Sequence, residues 1–191
     1  GSGTLAAEAL SFAYDLPPNL RRSFGFSRMK NYPAETDRQL QEELAARVNP
    51  EYEVLIRASD QDPRMAELSR QNVRRMVEQA ALPPESAERL LSRVVVEQCR
   101  MENLRRREPE GFFMANPPYG ERLGDLPQAQ ATYRAMAHLV QDFPDWSLTT
   151  ITTFPDFDRE LGWRPAWKRE VRNGNSQALI FHHAAVGSRK R

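Results

Sequence analysis

Apolar residues recur along this chain with two periods, and the switches between them mark out its elements. "TLAAEALSFAY" follows a Gly-Ser-Gly turn and reads as an Ala/Leu-rich amphipathic helix fed by a glycine loop. Residues 16 to 50 are irregular through Pro17, Pro18 and Pro33 until "AETDRQLQEELAARV" resumes a helical spacing. "YEVLIRASD" is then a β-branched run ending in an acid, and "DPRMAELSRQNVRRMVEQA" has the 3.6-residue period of a helix. Its expected inner positions are Met65, Leu68, Val73, Met76 and Val77. Asp62 ahead of Pro63 suits an N-cap followed by proline at the first helical position.

"ESAERLLSRV" predicts a short helix, "VVVEQCRM" a strand and "GFFMA" a further, buried strand that stops at Pro117 and Pro118. "LPQAQATYRAMAHLVQDF" is helical by period and "WSLTTITTF" strand-like. Two alternating runs about an Asn173-Gly174 turn predict a terminal hairpin. Strands alternating with helices before a hairpin indicate an α/β fold, its sheet mostly parallel with an antiparallel edge.

Composition narrows the class without naming a chemistry. The 191 residues suffice for one domain with a real core, and 27 basic against 26 acidic residues leave a net charge of +1. No run approaches the roughly 20 apolar residues of a membrane span and no signal segment opens the chain, so no membrane partner and a cytoplasmic location are expected. Cys99 is a lone cysteine, and His138, His182 and His183 are too few and scattered to suggest a metal site. Arginine is locally dense at Arg21 and Arg22, at Arg105 to Arg107 and in the tail.

The candidate chemistry lies in "MANPPYGERLGD", residues 114 to 125. Ligands of a parallel α/β sheet bind outside the carboxyl ends of its strands, where this segment falls if "GFFMA" is a central strand. Pro117 biases Asn116 away from the helical region, and the two prolines fix their own φ. The outcome is a preorganised acceptor pair, the Asn116 side-chain oxygen and the Pro117 carbonyl. Such a pair suits the two N–H groups of an exocyclic base amine, and stabilises the geometry in which that amine's lone pair leaves the ring and attacks an electrophile. Tyr119 offers a face on which the base can stack.

At these residues the chain resembles the S-adenosyl-L-methionine-dependent methyltransferases of exocyclic base amines. It is most similar to the bacterial group that methylates guanine N2 of 23S ribosomal RNA, often labelled N6-adenine-specific DNA methylases. "GSGTLAAEAL", "LPPNLRRSFGFSRM", "SDQDPRMAELSRQNV" and "LGWRPAWKREVRNGNSQALIF" extend the resemblance over almost the whole chain. It implies a Rossmann-like class I methyltransferase sheet and, in the NPPY motif, Asn116, Pro117, Pro118 and Tyr119 as catalytic residues. It also implies S-adenosyl-L-methionine held by Gly1, Ser2, Gly3, Thr4, Asp60 and Gln61, with Asp60 on the ribose hydroxyls. The nucleic acid would be met by Arg21, Arg22, Glu121 and Arg122, with no metal. Asp62 competes with Asp60, but its place before Pro63 assigns it to the helix cap. Trp146, Trp163 and Trp167 are either core residues or base platforms, the former being the ordinary case.

Two departures from the family pattern shape the expectation. Arg100 stands where members carry an acid for the cofactor's adenine amine, and an arginine cannot accept that hydrogen bond; Glu102 is the substitute in another register. The strand that normally precedes the glycine loop, and the RNA-binding domain before it, are not in the sequence. Residues 1–191 therefore read as a methyltransferase catalytic domain incomplete at its N-terminus, its first strand missing from mid-sheet. An expression tag is the other source of the leading glycines. Adenine N6 methylation of DNA or RNA, and a non-catalytic binding module, are the rival functions.

Overall fold

The computed structural model describes residues 1–18, 22, 24–105, 107–117, 126–173 and 176–187. They form two compact units, residues 1–100 and 101–191.

In the first unit the glycine loop opens into helix α1, Thr4–Tyr14, and the irregular stretch ends in α2, Ala34–Ala46. Strand β1, Ile56–Asp60, is followed by α3, Pro63–Gln79, and then α4, Pro84–Ser92, and β2, Val94–Gln98. The strands pair in parallel, from Ile56 opposite Val94 to Asp60 opposite Gln98, as a βαβ connection requires. The predicted strand from residue 52 is shorter than expected because Val54 is used otherwise: its carbonyl accepts from the Tyr14 hydroxyl at 3.0 Å. Ala6, Leu10, Tyr14, Ile56, Val73, Val77 and Leu90 close the core. Burying a leucine as completely as Leu10 or Leu90 contributes roughly 1.5 to 3 kcal/mol.

The inner face of α3 differs from its predicted one. Val73 and Val77 are buried as expected, but Ala66 and Ser69 occupy the inner positions nearest the N-terminus, and Leu68 is exposed. Hydrophobic spacing located the stripe; the need for small side chains beneath the glycine loop rotated it.

In the second unit β3 is Gly111–Ala115, followed by α5, Leu126–Ala135, and α6, His138–Asp142. The expected single helix is broken where the Met136 N–H is shared between the Thr132 and Tyr133 carbonyls, and the chain tightens by a turn before α6. Strand β4, Trp146–Thr152, precedes α7, Phe157–Leu161, and the hairpin strands β5, Trp167–Asn173, and β6, Ser176–His183. The order is β3-β4-β6-β5, with β3 parallel to β4 and the hairpin antiparallel. Asn173 pairs with Ser176 as the last residue of β5, so it belongs to the strand and not to the turn in which it was expected.

"GFFMA" is thus a strand with the predicted boundaries but, among the described residues, an edge strand and not a central one. Nor is it buried on both faces: Phe112 and Met114 are exposed, while Phe113 meets Phe143 and Trp146. Gly111 is required by that packing, since a β-carbon there would lie 2.6 Å from the Trp146 ring.

Candidate functional site

At the carboxyl end of β1 three segments of the first unit converge. Gly3 has φ +84°, open to glycine without strain, and its backbone lies against Ser69 of α3. The Asn72 side-chain amide donates to the Ser2 carbonyl at 2.9 Å, which ties the loop to the next turn of the same helix. The Gly1 amine in turn contacts the Asp60 carboxylate, 59 residues away in sequence. Gly1, Ser2, Gly3 and Thr4 and the acid that ends β1 are thereby brought together. Ser2 and Thr4 face each other through their hydroxyls at 3.2 Å.

Asp60 and Asp62 separate by role. The Asp62 carboxylate accepts from the Arg64 N–H at 2.8 Å and caps α3, the expected function of an acid before Pro63. The Asp60 carboxylate instead points to the loop and accepts from the Asp62 N–H at 2.8 Å. Burial pushes its pKa up, but the Gly1 amine and the Asp62 N–H outweigh that, so the carboxyl is held below its usual range. An ionised acid that keeps acceptor capacity is suited to a pair of hydroxyls. Gln61 is exposed, and its carbonyl accepts from the Gln98 side chain at 3.2 Å.

Helix α1 begins at this loop with no side-chain cap at its N-terminus. The first N–H groups of a helix carry partial positive charge and accommodate a carboxylate. The residues present therefore fit an amino-acid nucleoside: a glycine backbone for close approach, helix N–H groups for its carboxylate and Asp60 for its ribose. Arg100 follows β2 and is exposed, and Glu102 is exposed in the short 3₁₀ helix Met101–Asn103. Asn72 and Ser69 were not foreseen; their only sequence signal is a shared helical face with Val73.

In the second unit a separate candidate segment stands at the carboxyl end of β3. Asn116 directly follows Ala115 and is exposed, and Pro117 is buried. The strand end thus presents a polar, exposed residue followed by a buried proline. Pro118, Tyr119, Glu121 and Arg122 lie outside the described residues, as does Arg21; Arg22 is described and exposed.

Of the aromatics, Trp146 and Trp163 belong to the core, Trp146 donating to the Glu108 carbonyl at 3.3 Å. Trp167 is 47% exposed and stacks on His182. His138 contacts the Ala135 carbonyl through Nδ1 at 2.7 Å, a local helix-end contact. Among the described residues no helix is long and apolar enough to cross a membrane.

Residues 1–181 match the family described as RMKL-like, methyltransferase domain (UPF0020). The chain is 31% identical over 194 residues to the ribosomal RNA large subunit methyltransferase K/L of Chromohalobacter salexigens, with 99% of this chain and 25% of that protein covered. It is 30% identical over 190 residues to the protein of that name from Dichelobacter nodosus, covering 96% of this chain and 24% of that one. The chain thus spans about a quarter of the length of these curated relatives. The crystal structure of SMU.472 complexed with SAH superposes with a TM-score of 0.84 at 25% identity, over 97% of this chain and 46% of that one.

Proposed function

The chain belongs to the family of RMKL-like methyltransferase domains, and on that footing we propose that it methylates an exocyclic base amine from S-adenosylmethionine, with guanine N2 of 23S ribosomal RNA as the target. The observation that carries the reading is the convergence of the glycine loop with Asp60 at the end of β1. The names of the relatives support ribosomal RNA as the substrate, and the NPPY residues support an amine as the acceptor.

When bound, the cofactor supplies an electrophilic methyl on a sulfonium, and its product is the neutral thioether. The protein's part is positioning. Gly1 to Thr4 and the first N–H groups of α1 would hold the amino-acid end, and Asp60 would accept from the ribose hydroxyls. In the second unit the Asn116 oxygen and the Pro117 carbonyl would accept the two N–H bonds of the amine. That would turn its lone pair out of conjugation and leave it free to take an electrophilic methyl. The proton is acidic only after that step and passes to an acceptor as weak as Asn116 or water, so no strong base is needed. The target base must be unpaired or flipped to present its amine.

Two measurements on the full-length protein test this reading. Calorimetry should show S-adenosylmethionine binding that Asp60→Ala weakens roughly tenfold or more, the loss of charge-assisted hydrogen bonds. Labelled methyl should then appear on guanine of ribosomal RNA. Transfer only to adenine in DNA would correct the substrate. No cofactor binding by the full-length protein would leave a binding module, a reading to which the exposed Arg100 belongs.

A further inference from the structure

We propose that Arg22 and residues 24–33 of the first unit form a stacking platform for an unpaired base of the RNA strand, an inference that rests on the ribosomal RNA reading above. The segment puts aromatic rings at the surface where burial would be expected. Phe24 is 40% exposed and Phe26 52%, and their rings stack with centroids 5.3 Å apart and planes within 12°. The Arg22 guanidinium lies 5.3 Å from the Phe24 centroid, and Tyr32 meets Phe26 at 5.8 Å. Phe26, Met29, Lys30, Asn31, Tyr32 and Pro33 line an open hollow of about 340 Å³.

The rings are held ready. The 3₁₀ turn Gly25–Arg28 is closed by Ser27 N–H to the Phe24 carbonyl at 3.1 Å and Met29 N–H to the Phe26 carbonyl at 3.0 Å. Tyr32 N–H to the Met29 carbonyl at 3.0 Å continues the series. The Ser27 hydroxyl donates to the Phe24 carbonyl at 2.7 Å, and the Tyr32 hydroxyl is engaged by Asp37 of α2. No residue of the turn contributes to the core, so core packing does not account for the aromatics.

Charge identifies the occupant. Between Asp15 and Glu35 there is no acidic residue, while Arg22, Arg28 and Lys30 are basic. Flat rings flanked by cations match a chain of bases linked by phosphates, in which stacking tolerates any base and the cations take the backbone.

The test is fluorescence anisotropy of a labelled single-stranded RNA of about ten nucleotides on the full-length protein. Phe24→Leu with Phe26→Leu keeps the segment apolar but removes the π faces, and should weaken binding roughly five- to 150-fold, the worth of one stacked base. Phe24→Trp should bind as the parent does, with its added emission quenched by RNA. Arg22→Ala with Lys30→Ala should flatten the dependence of affinity on salt. Unchanged RNA affinity in the leucine variant, or an unquenched tryptophan, overturns the proposal; so does a parent protein that binds anionic lipid vesicles or peptide but not RNA. Calorimetry with S-adenosylmethionine on the same samples keeps the two readings apart. Cofactor binding with RNA affinity indifferent to the rings sinks only the platform, whereas absent cofactor binding sinks the methyltransferase reading.

Discussion

Gly3 and Ser69 touch backbone to backbone: a β-carbon on residue 3 would stand 2.8 Å from the Ser69 Cα. This contact sets how closely the loop before α1 lies on α3, and it explains why α3 turns Ala66 and Ser69 inward in place of Leu68. Gly3→Ala adds a clash with backbone to a residue at φ +84°. The expected loss is about 2 to 4 kcal/mol of stability in urea unfolding, from strain and overpacking together. Ser69→Ala is the control, since the buried Ser69 hydroxyl has no hydrogen-bond partner. It should change stability by less than about 1 kcal/mol and should not rescue Gly3→Ala.

Asp60 and Asp62, two residues apart, should respond differently to truncation. Asp62→Ala removes the cap on the Arg64 N–H and should cost about 1 kcal/mol of stability with cofactor affinity nearly unchanged. Asp60→Ala should weaken cofactor binding roughly tenfold or more, beyond the roughly 1 kcal/mol of stability lost when the Asp62 N–H loses its acceptor, so calorimetry is where the two variants part. Paired thermal melts and calorimetry decide the assignment; equal losses of cofactor affinity would contradict it.

The amine-acceptor role is tested at Asn116. Because its proposed role is to accept a hydrogen bond, Asn116→Asp should retain more methyl transfer than Asn116→Ala. The alanine variant should fall roughly 10²- to 10³-fold at saturating cofactor, as removal of one polar stabiliser of a transition state does. Cofactor binding should be preserved in both. If alanine and aspartate lose the same activity, the acceptor role is wrong.

Acid should find a weak point at His183. It is fully buried against Phe157, Trp163 and Phe181, and burial pushes its pKa down to about 4, with backbone groups and the Asp158 charge drawing it only part of the way back. The unfolded chain therefore binds this proton more readily than the folded one between pH 6.5 and about 4. Stability is complete above pH 6.5 and declines as pH falls through that window, by at most about 3 kcal/mol from this group. His183→Phe should shallow the slope of unfolding free energy against pH between 6.5 and 4.5, and an unaltered slope would exclude His183 as its source.

Much of the chain was legible from its pattern, because backbone periodicity and turn chemistry are local. The bounds of β3, the start of α3 at Pro63, the cap by Asp62 and the terminal hairpin follow from residues within a few positions of one another. So does the position of Asn116 and Pro117 at a strand end, since proline ends a ladder wherever the strand lies. What the pattern could not settle depends on partners distant in sequence. Periodicity shows that a helix has an inner face, but not that Ser69 must be small because Gly3 presses on it. Nor could it show that β3 lies at a sheet edge with Phe112 and Met114 exposed, or that Tyr14 takes the Val54 carbonyl and shortens β1. Phe24 and Phe26 make the same point in reverse: apolar residues suggest a core, and only the tertiary structure leaves their faces in solvent beside Arg22.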